Sequence, residues 1–247
     1  MQAITGIPYF YRQFGYEYVL DLDGHRSTDV AAVPPAKAGE AEPYHLRLAT
    51  VEDIPDLQSL YDQRRAASLV WFEWPEAYWR HLITSWDDPA IRGLPVTQTS
   101  RSLRPYMIVD NAGQTSGFAW VAAKRWGKWL GVYALELFPH VNWQAVAPSL
   151  LRALCQLGEA APAVDPDMSP FTSIRWRLMR SHPIYTVLGE TLAPHYEPPY
   201  AWYLRVPDVI AFLRLIIPVL EERLARSLLT GYTGELGYEV WCHPKHA

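Results

Sequence analysis

The chain has 247 residues, a formal net charge of −4 and 49% hydrophobic residues with 11 Trp and 15 Tyr, enough to build one large core or two ordinary ones and too apolar for a disordered protein. Its 22 Lys and Arg are scattered without a basic cluster, which argues against nucleic acid as a partner. The longest apolar run, residues 209–220, is broken by Arg214 and Pro218 and is too short to span a bilayer, while Cys155 and Cys242 are far apart in sequence, which fits a reducing cytoplasm better than a disulfide framework.

In chain order, Gly6-Ile7-Pro8-Tyr9-Phe10-Tyr11-Arg12-Gln13-Phe14-Gly15 places a proline just inside a short helix, then an aromatic turn, then glycine as a C-cap. Tyr16, Tyr18 and Leu20 then alternate as a strand does. A helix handing over to one strand cannot form a domain, so residues 1–22 read as the tail of one, and Tyr9, Phe14, Tyr16 and Tyr18 as core candidates. An unpaired aromatic strand is an adhesive edge, expected to pack on the next unit or on another chain, the latter making a homo-oligomer. Asp23-Gly24 marks a turn, and the prolines and small residues of 33–40 mark residues 23–43 as a linker.

A second unit is expected over residues 44–206. His45–Ala49 reads as a strand, Thr50 as an N-cap with Asp53 three residues on, and Ile54, Leu57, Leu60 and Tyr61 as one helical face. A second helix runs from Pro75 to Ile83. Strands over 106–109 and 117–123 flank the turn Asp110-Asn111-Ala112-Gly113-Gln114. A mostly apolar strand (132–138), a helix (145–157), a strand (172–178), a short helix (183–188) and a closing strand (201–206) follow. As a physical pattern this is an α+β domain, a mixed central sheet flanked by helices. From Pro207, Val209, Ile210, Leu213, Ile217, Leu220 and Leu224 trace an apolar helical stripe that Pro218 should kink or divide, and Tyr232–Val240 alternates like a strand.

No metal site is expected: Cys242-His243-Pro244-Lys245-His246 has ligand-type residues but no second pair nearby, and Asp21-Leu22-Asp23-Gly24-His25 lacks calcium-loop spacing. Glu73 and Glu76, among aromatics, are candidate walls of a pocket for a cationic amine, or simply exposed helix acids.

Phe10-Tyr11-Arg12-Gln13-Phe14-Gly15-Tyr16-Glu17 resembles the Phe-Tyr-x-x-x-Gly-Phe-x signature near the C-terminal end of GNAT-family N-acetyltransferases. The resemblance implies an acetyl-CoA-dependent transfer to a small-molecule or peptide amine, and assigns Tyr11 as the acid that returns a proton to the leaving thiolate. From composition alone Tyr11 belongs to aromatic core packing. The strand before Ala49-Thr50 and the order of later elements also resemble a GNAT domain. Such domains hold the CoA pyrophosphate on a glycine-containing loop after their fourth strand. The equivalent stretch here, Pro139-His140-Val141-Asn142-Trp143-Gln144, has no glycine, so this lobe is expected to lack that grip, and with it, acting alone, to be a non-catalytic scaffold. His182-Pro183-Ile184-Tyr185-Thr186-Val187-Leu188-Gly189 echoes the opening motif, and Tyr185 there reads as a hydrogen-bonded core tyrosine. The helix from Pro207 with Gly231-Tyr232-Thr233-Gly234-Glu235-Leu236 resembles the start of the sterol-carrier-like domain of Eis-type acetyltransferases. That resemblance divides the chain into the end of a first GNAT lobe (1–22), a linker (23–43), a degenerate second lobe (44–206) and the start of a third domain (207–247).

Overall fold

A computed structural model describes residues 1–230 apart from 8, 23, 38, 67–70, 166, 168–169, 179 and 198–199; the strand expected at Tyr232–Val240 lies outside the described residues. The chain forms two compact units, residues 21–200 and residues 1–20 with 201–247.

The larger unit is an α+β domain built on a seven-stranded sheet. Its strands in chain order are β3 (His25–Asp29), β4 (Tyr44–Leu48), β5 (Leu103–Asp110), β6 (Thr115–Ala122), β7 (Trp129–Leu137), β8 (Ser173–Trp176) and β9 (His195–Glu197), in the spatial order β4-β5-β6-β7-β8-β3-β9. Each pairing is antiparallel except that of β7 with β8. Helices α1 (Ile54–Ala66) and α2 (Glu76–Thr84) lie on one face, and α4 (Trp143–Ala160) and α5 (Ile184–Leu192) on the other; α3 (Pro89–Arg92) is a single turn. One core gathers Ile54, Leu57, Leu60 and Trp79 onto Met107, Val109 and Phe118. The other gathers Leu150, Leu151, Leu154 and Ile184 onto Leu130, Val132, Leu135 and Trp176. Fully burying each such side chain stabilises by roughly 1.5–3 kcal/mol, so two covered faces hold the sheet.

Local signals explain most of these elements. The Asp53 carboxylate accepts from the Thr50 backbone N–H at 2.7 Å and from Arg47 at 2.7 and 2.6 Å, which fixes the start of α1. Asp110 Oδ1 accepts from Ala112 and Gln114 N–H at 2.9 and 2.8 Å and closes the β5–β6 hairpin.

The expected linker 23–43 is corrected in part, because His25–Asp29 is strand β3, set between β8 and β9. Its sequence, His-Arg-Ser-Thr-Asp, has no apolar alternation to announce a strand. It is buried through polar chemistry instead: Trp176 Nε1–H donates to the fully buried Thr28 hydroxyl at 2.8 Å. Farther on, Glu42 accepts from Ser149 at 2.7 Å and from Arg152 at 2.8 Å, tying the connector to α4.

In the smaller unit, β1 (Gln2–Ile4) and β2 (Glu17–Leu22) flank β10 (Tyr200–Arg205) in a three-stranded sheet. The closing strand expected for the second lobe therefore pairs with the opening residues and belongs to this unit. A 3-10 helix, Phe10–Phe14, ends on Gly15 with φ of 79°, a left-handed conformation that suits glycine. Tyr9 (66% exposed), Phe10 and Phe14 are exposed, contrary to the expected core role of Tyr9 and Phe14, and burial falls to Tyr203, fully, and to Leu204. Helix α6 (Val209–Thr230) runs undivided through Pro218, and Val209, Ile210, Leu213, Leu220 and Leu224 of its apolar stripe are exposed.

Candidate functional site

The parallel pair β7–β8 is short. Trp129 to Val132 pair with Ser173 to Trp176, and the last link is Arg177 N–H donating to the Val132 carbonyl at 2.9 Å. Beyond it β7 continues to Leu137 beside β6 alone, so the two strands diverge and leave a cleft.

A β-bulge decides what faces that cleft. Trp120 pairs with Ala134 but Val121 pairs with Val132, so Tyr133 is an extra residue in β7. An extra residue reverses the alternation beyond it. Leu130 and Val132 lie in the α4 core and so do Leu135 and Leu137, while Ala134 and Phe138 pack on the α1 side. Glu136 shares that side, where Arg64 Nε of α1 approaches its carboxylate at 3.3 Å. Gly117 of β6 permits the close crossing: a Cβ there would stand 2.2 Å from the Glu136 carbonyl oxygen.

The cleft encloses a cavity of about 180 Å³ lined by Tyr61, Trp74, Phe118, Trp120 and Tyr133, with Arg64, Glu136, Arg177 and His182 as its polar groups. Trp74 is stacked between Tyr61 (4.7 Å) and Trp120 (4.6 Å), and fully buried Trp79 meets all three rings edge-on. The Tyr61 hydroxyl donates to the Phe72 carbonyl at 2.7 Å and holds that segment in place. Arg177 donates to the Tyr133 hydroxyl at 3.4 Å and lies over the Tyr133 ring at 5.3 Å.

Burial shifts Glu136 and His182 in opposite directions. Burial pushes the Glu136 carboxyl up to about 7, against the opposing pull of Arg64. Such a group takes up and releases a proton near neutral pH, as a general base or acid requires. His182 goes the other way, down to about 4, because burial disfavours its charged form more than the bond to the Leu135 carbonyl supports it. Its Nδ1 accepts from Ile184 N–H at 3.2 Å, so the neutral ring carries its proton on Nε2 and donates to the Leu135 carbonyl at 2.7 Å. Arg177 is lowered by burial, with Glu197 opposing.

The N-terminus of α4 opens beside this cleft, where the resemblance places a CoA pyrophosphate. Asn142 caps the helix and its side chain already accepts from Gln144 N–H at 2.9 Å. Trp143 stands at the first helical position with its ring edge-on to His182 at 5.3 Å, and His140 stacks on Phe138. A phosphate site needs free amides and close backbone approach; here the Asn142 side chain occupies the Gln144 amide and the bulky Trp143 stands at the helix entry in place of a glycine. These residues do not fit a pyrophosphate.

The cleft brings together none of the acids singled out from sequence. Glu73 pairs with Arg65 at 3.3 Å and Glu76 with Arg80 at 2.6 Å, both exposed. Tyr185 is a buried core tyrosine whose hydroxyl donates to the Trp176 carbonyl at 2.9 Å. Tyr11 lies in the smaller unit, half-buried, its ring edge-on to Phe10 (5.2 Å), Tyr16 (6.3 Å) and Tyr203 (5.4 Å). Glu136 escaped sequence reading, although one acid within the apolar run Val132–Phe138 was a signal.

No protein-family model matches the chain. Among curated proteins, the trimethylamine-oxide aldolase of Ruegeria pomeroyi is 61% identical over 31 residues, 13% of this chain and 3% of that protein. Solved structures with a similar arrangement include a GCN5-related N-acetyltransferase from Kribbella flavida, at 18% identity and TM-score 0.46, covering 83% of this chain and 42% of that one. A conserved protein of unknown function from Enterococcus faecalis V583 has 12% identity and TM-score 0.48, covering 81% and 43%. A tandem GNAT protein from the clavulanic acid biosynthesis pathway has 14% identity and TM-score 0.45, covering 78% and 56%. This chain thus spans less than half the length of the first two, and likeness of this depth assigns no activity. Among the described residues, no helix is long and apolar enough to cross a membrane and no three His, Cys, Asp or Glu side chains gather as metal ligands would.

Proposed function

We propose that the larger unit is the acceptor-handling lobe of an N-acyltransferase, in which the cleft holds a small amine and Glu136 takes its proton. The observation that carries this reading is the position of Glu136, a largely buried carboxyl raised to about 7 inside an aromatic cavity. An ammonium ion cannot attack an acyl carbon because its nitrogen lone pair is held by the proton. Glu136, once ionised, accepts that proton, and Arg64 at 3.3 Å keeps the carboxylate in place. The aromatic walls suit a cation. At about 180 Å³ the cavity is smaller than the roughly 300–1,000 Å³ typical of drug-sized ligands, which favours a small amine over a peptide. Tyr11 enters this reading through its motif alone, as the phenol that reprotonates the leaving group.

The test is thiol release from acetyl-CoA with a panel of small primary amines. Turnover should rise through a pH near 7, and Glu136→Gln should lower kcat/KM about 100-fold or more. Unchanged turnover in Glu136→Gln removes Glu136 from the chemistry. A second reading, an amine-binding lobe that performs no transfer, is favoured by the α4 N-terminus, which offers no phosphate grip. Calorimetric binding of an amine with no thiol release under any condition selects it.

A further inference from the structure

Helix α6 carries two apolar faces, and the fold covers only one of them in part. Phe212, Ile216 and Val219 share one side of the helix and are half-buried. Ile210, Leu213, Ile217, Leu220 and Leu224 follow one another at spacings of three and four, and they are between 44% and 65% exposed. Those spacings set them in a single stripe, about a third of a turn round from the half-buried side and about 21 Å long. Pro218 stands outside it. An unbroken apolar stripe of this size in water marks a contact surface, and the alternation of three and four is that of a coiled-coil seam. Its flank indicates the partner. Arg214 follows Leu213 and Glu221 follows Leu220, so both charges stand on the same side of the seam. When two copies of the helix run antiparallel, this flank of one faces the same flank of the other in reverse order. Arg214 then meets Glu221 of the second copy and Glu221 meets its Arg214, while Leu213 meets Leu224 and Ile217 meets Leu220 across the seam. A parallel pair joins opposite flanks instead and sets both charges against the apolar Val209 and Ile216, a cost without a gain. Such a seam with its flanks buries on the order of 1,000 Å² in total, the size at which a specific interface holds.

We infer that α6 is the contact between two copies of this chain, paired antiparallel about a two-fold axis. The inference does not depend on the reading of the cleft, and neither an amine nor an acyl donor enters its test. The test is sedimentation equilibrium of the full chain over about a hundredfold range of concentration. Wild type should form a dimer. Ile217→Glu puts a charge in the middle of the seam, at a position already exposed in the single chain, and should weaken the dimer at least about tenfold. Arg214→Glu and Glu221→Arg, each alone, set like charges against one another twice and should weaken it similarly. Mixed in equal amounts, these two variants should recover dimers, because each supplies the charge that the other lacks. Thermal unfolding of each variant checks that it is folded. A monomer at every concentration, as when residues 231–247 of the same chain cover the stripe, overturns the inference. A dimer that Ile217→Glu leaves intact also overturns it, since the contact then lies on another surface. Charge reversals that leave the dimer unchanged, or a mixture that recovers none, overturn the antiparallel pairing.

Discussion

The cleft beside β7 and the aromatic cluster around Tyr11 are built from similar residues and end in different physical states. Tyr61, Trp74, Trp79 and Trp120 stack against a sheet covered by α1 and α2, and burial behind that cover raises the Glu136 carboxyl to about 7. Around Tyr11 there are as many rings, but Tyr9, Phe10 and Phe14 are exposed. Aromatic content alone does not make a reactive environment; a second layer that excludes water does.

The sharpest way to break this comparison is to exchange one atom in each region. Glu136→Gln should cost about 100-fold or more in kcat/KM, and Tyr11→Phe, which removes the phenol proposed as the acid, about tenfold in kcat with KM unchanged, both read by thiol release. A change of less than about threefold in Tyr11→Phe would mean that this ring only packs and would remove it from the chemistry.

The pH dependence of stability should be next in size. Glu136 has its pKa raised in the fold, so the native state holds this proton more tightly than the unfolded chain, and stability falls as pH rises from about 4.5 to about 7. Relative to wild type, Glu136→Gln should therefore gain about 3 kcal/mol between those pH values, measured by urea unfolding. His182 has the opposite sign: its pKa is depressed, so its contribution is lost as pH falls from about 6.5 through about 4. The two slopes overlap and offset each other in wild type, and only the variants expose them.

His182→Ala leaves the Leu135 carbonyl and the Ile184 N–H without their partner in a buried place, and should cost about 1–3 kcal/mol. Less is expected at the connector. The Glu42 carboxyl is held down to about 2 chiefly by its hydrogen bonds to Arg152, yet both side chains are partly exposed, so solvent screening limits the loss in Glu42→Ala to about 1 kcal/mol. Smallest of all, Phe14→Ser in the exposed aromatic cluster should shift the unfolding midpoint by no more than the equivalent of about 0.5 kcal/mol. A loss comparable to that of His182→Ala would mean that this ring is buried in solution and that the two regions are alike.

The order of elements was legible wherever a period or a cap marked it. Thr50 with Asp53 starts α1, Asp110 to Gln114 closes the β5–β6 hairpin, and Gly15 ends the first helix, because these signals act within a few residues. Strand β3 was hidden because its stabilising partner, Trp176, is 148 residues away. The site was barely legible: Glu73 and Glu76 resembled pocket acids by proximity to aromatics, and the acid that lines the cleft sat unnoticed in an apolar strand.

What the sequence by itself determined was local and additive: the helices, most strands, the missing glycine before α4, and an α+β architecture. What only the tertiary structure decided was the polar strand β3 and, at the cleft, the direction of one side chain. Strict alternation from Leu130 and Val132 would send Glu136 into the α4 core, where a carboxylate could not remain charged. The extra residue at Tyr133, visible only in the register of β7 against β6, turns it to Arg64 and the cleft instead. A bulge is a property of two strands together, so no period within one strand records it.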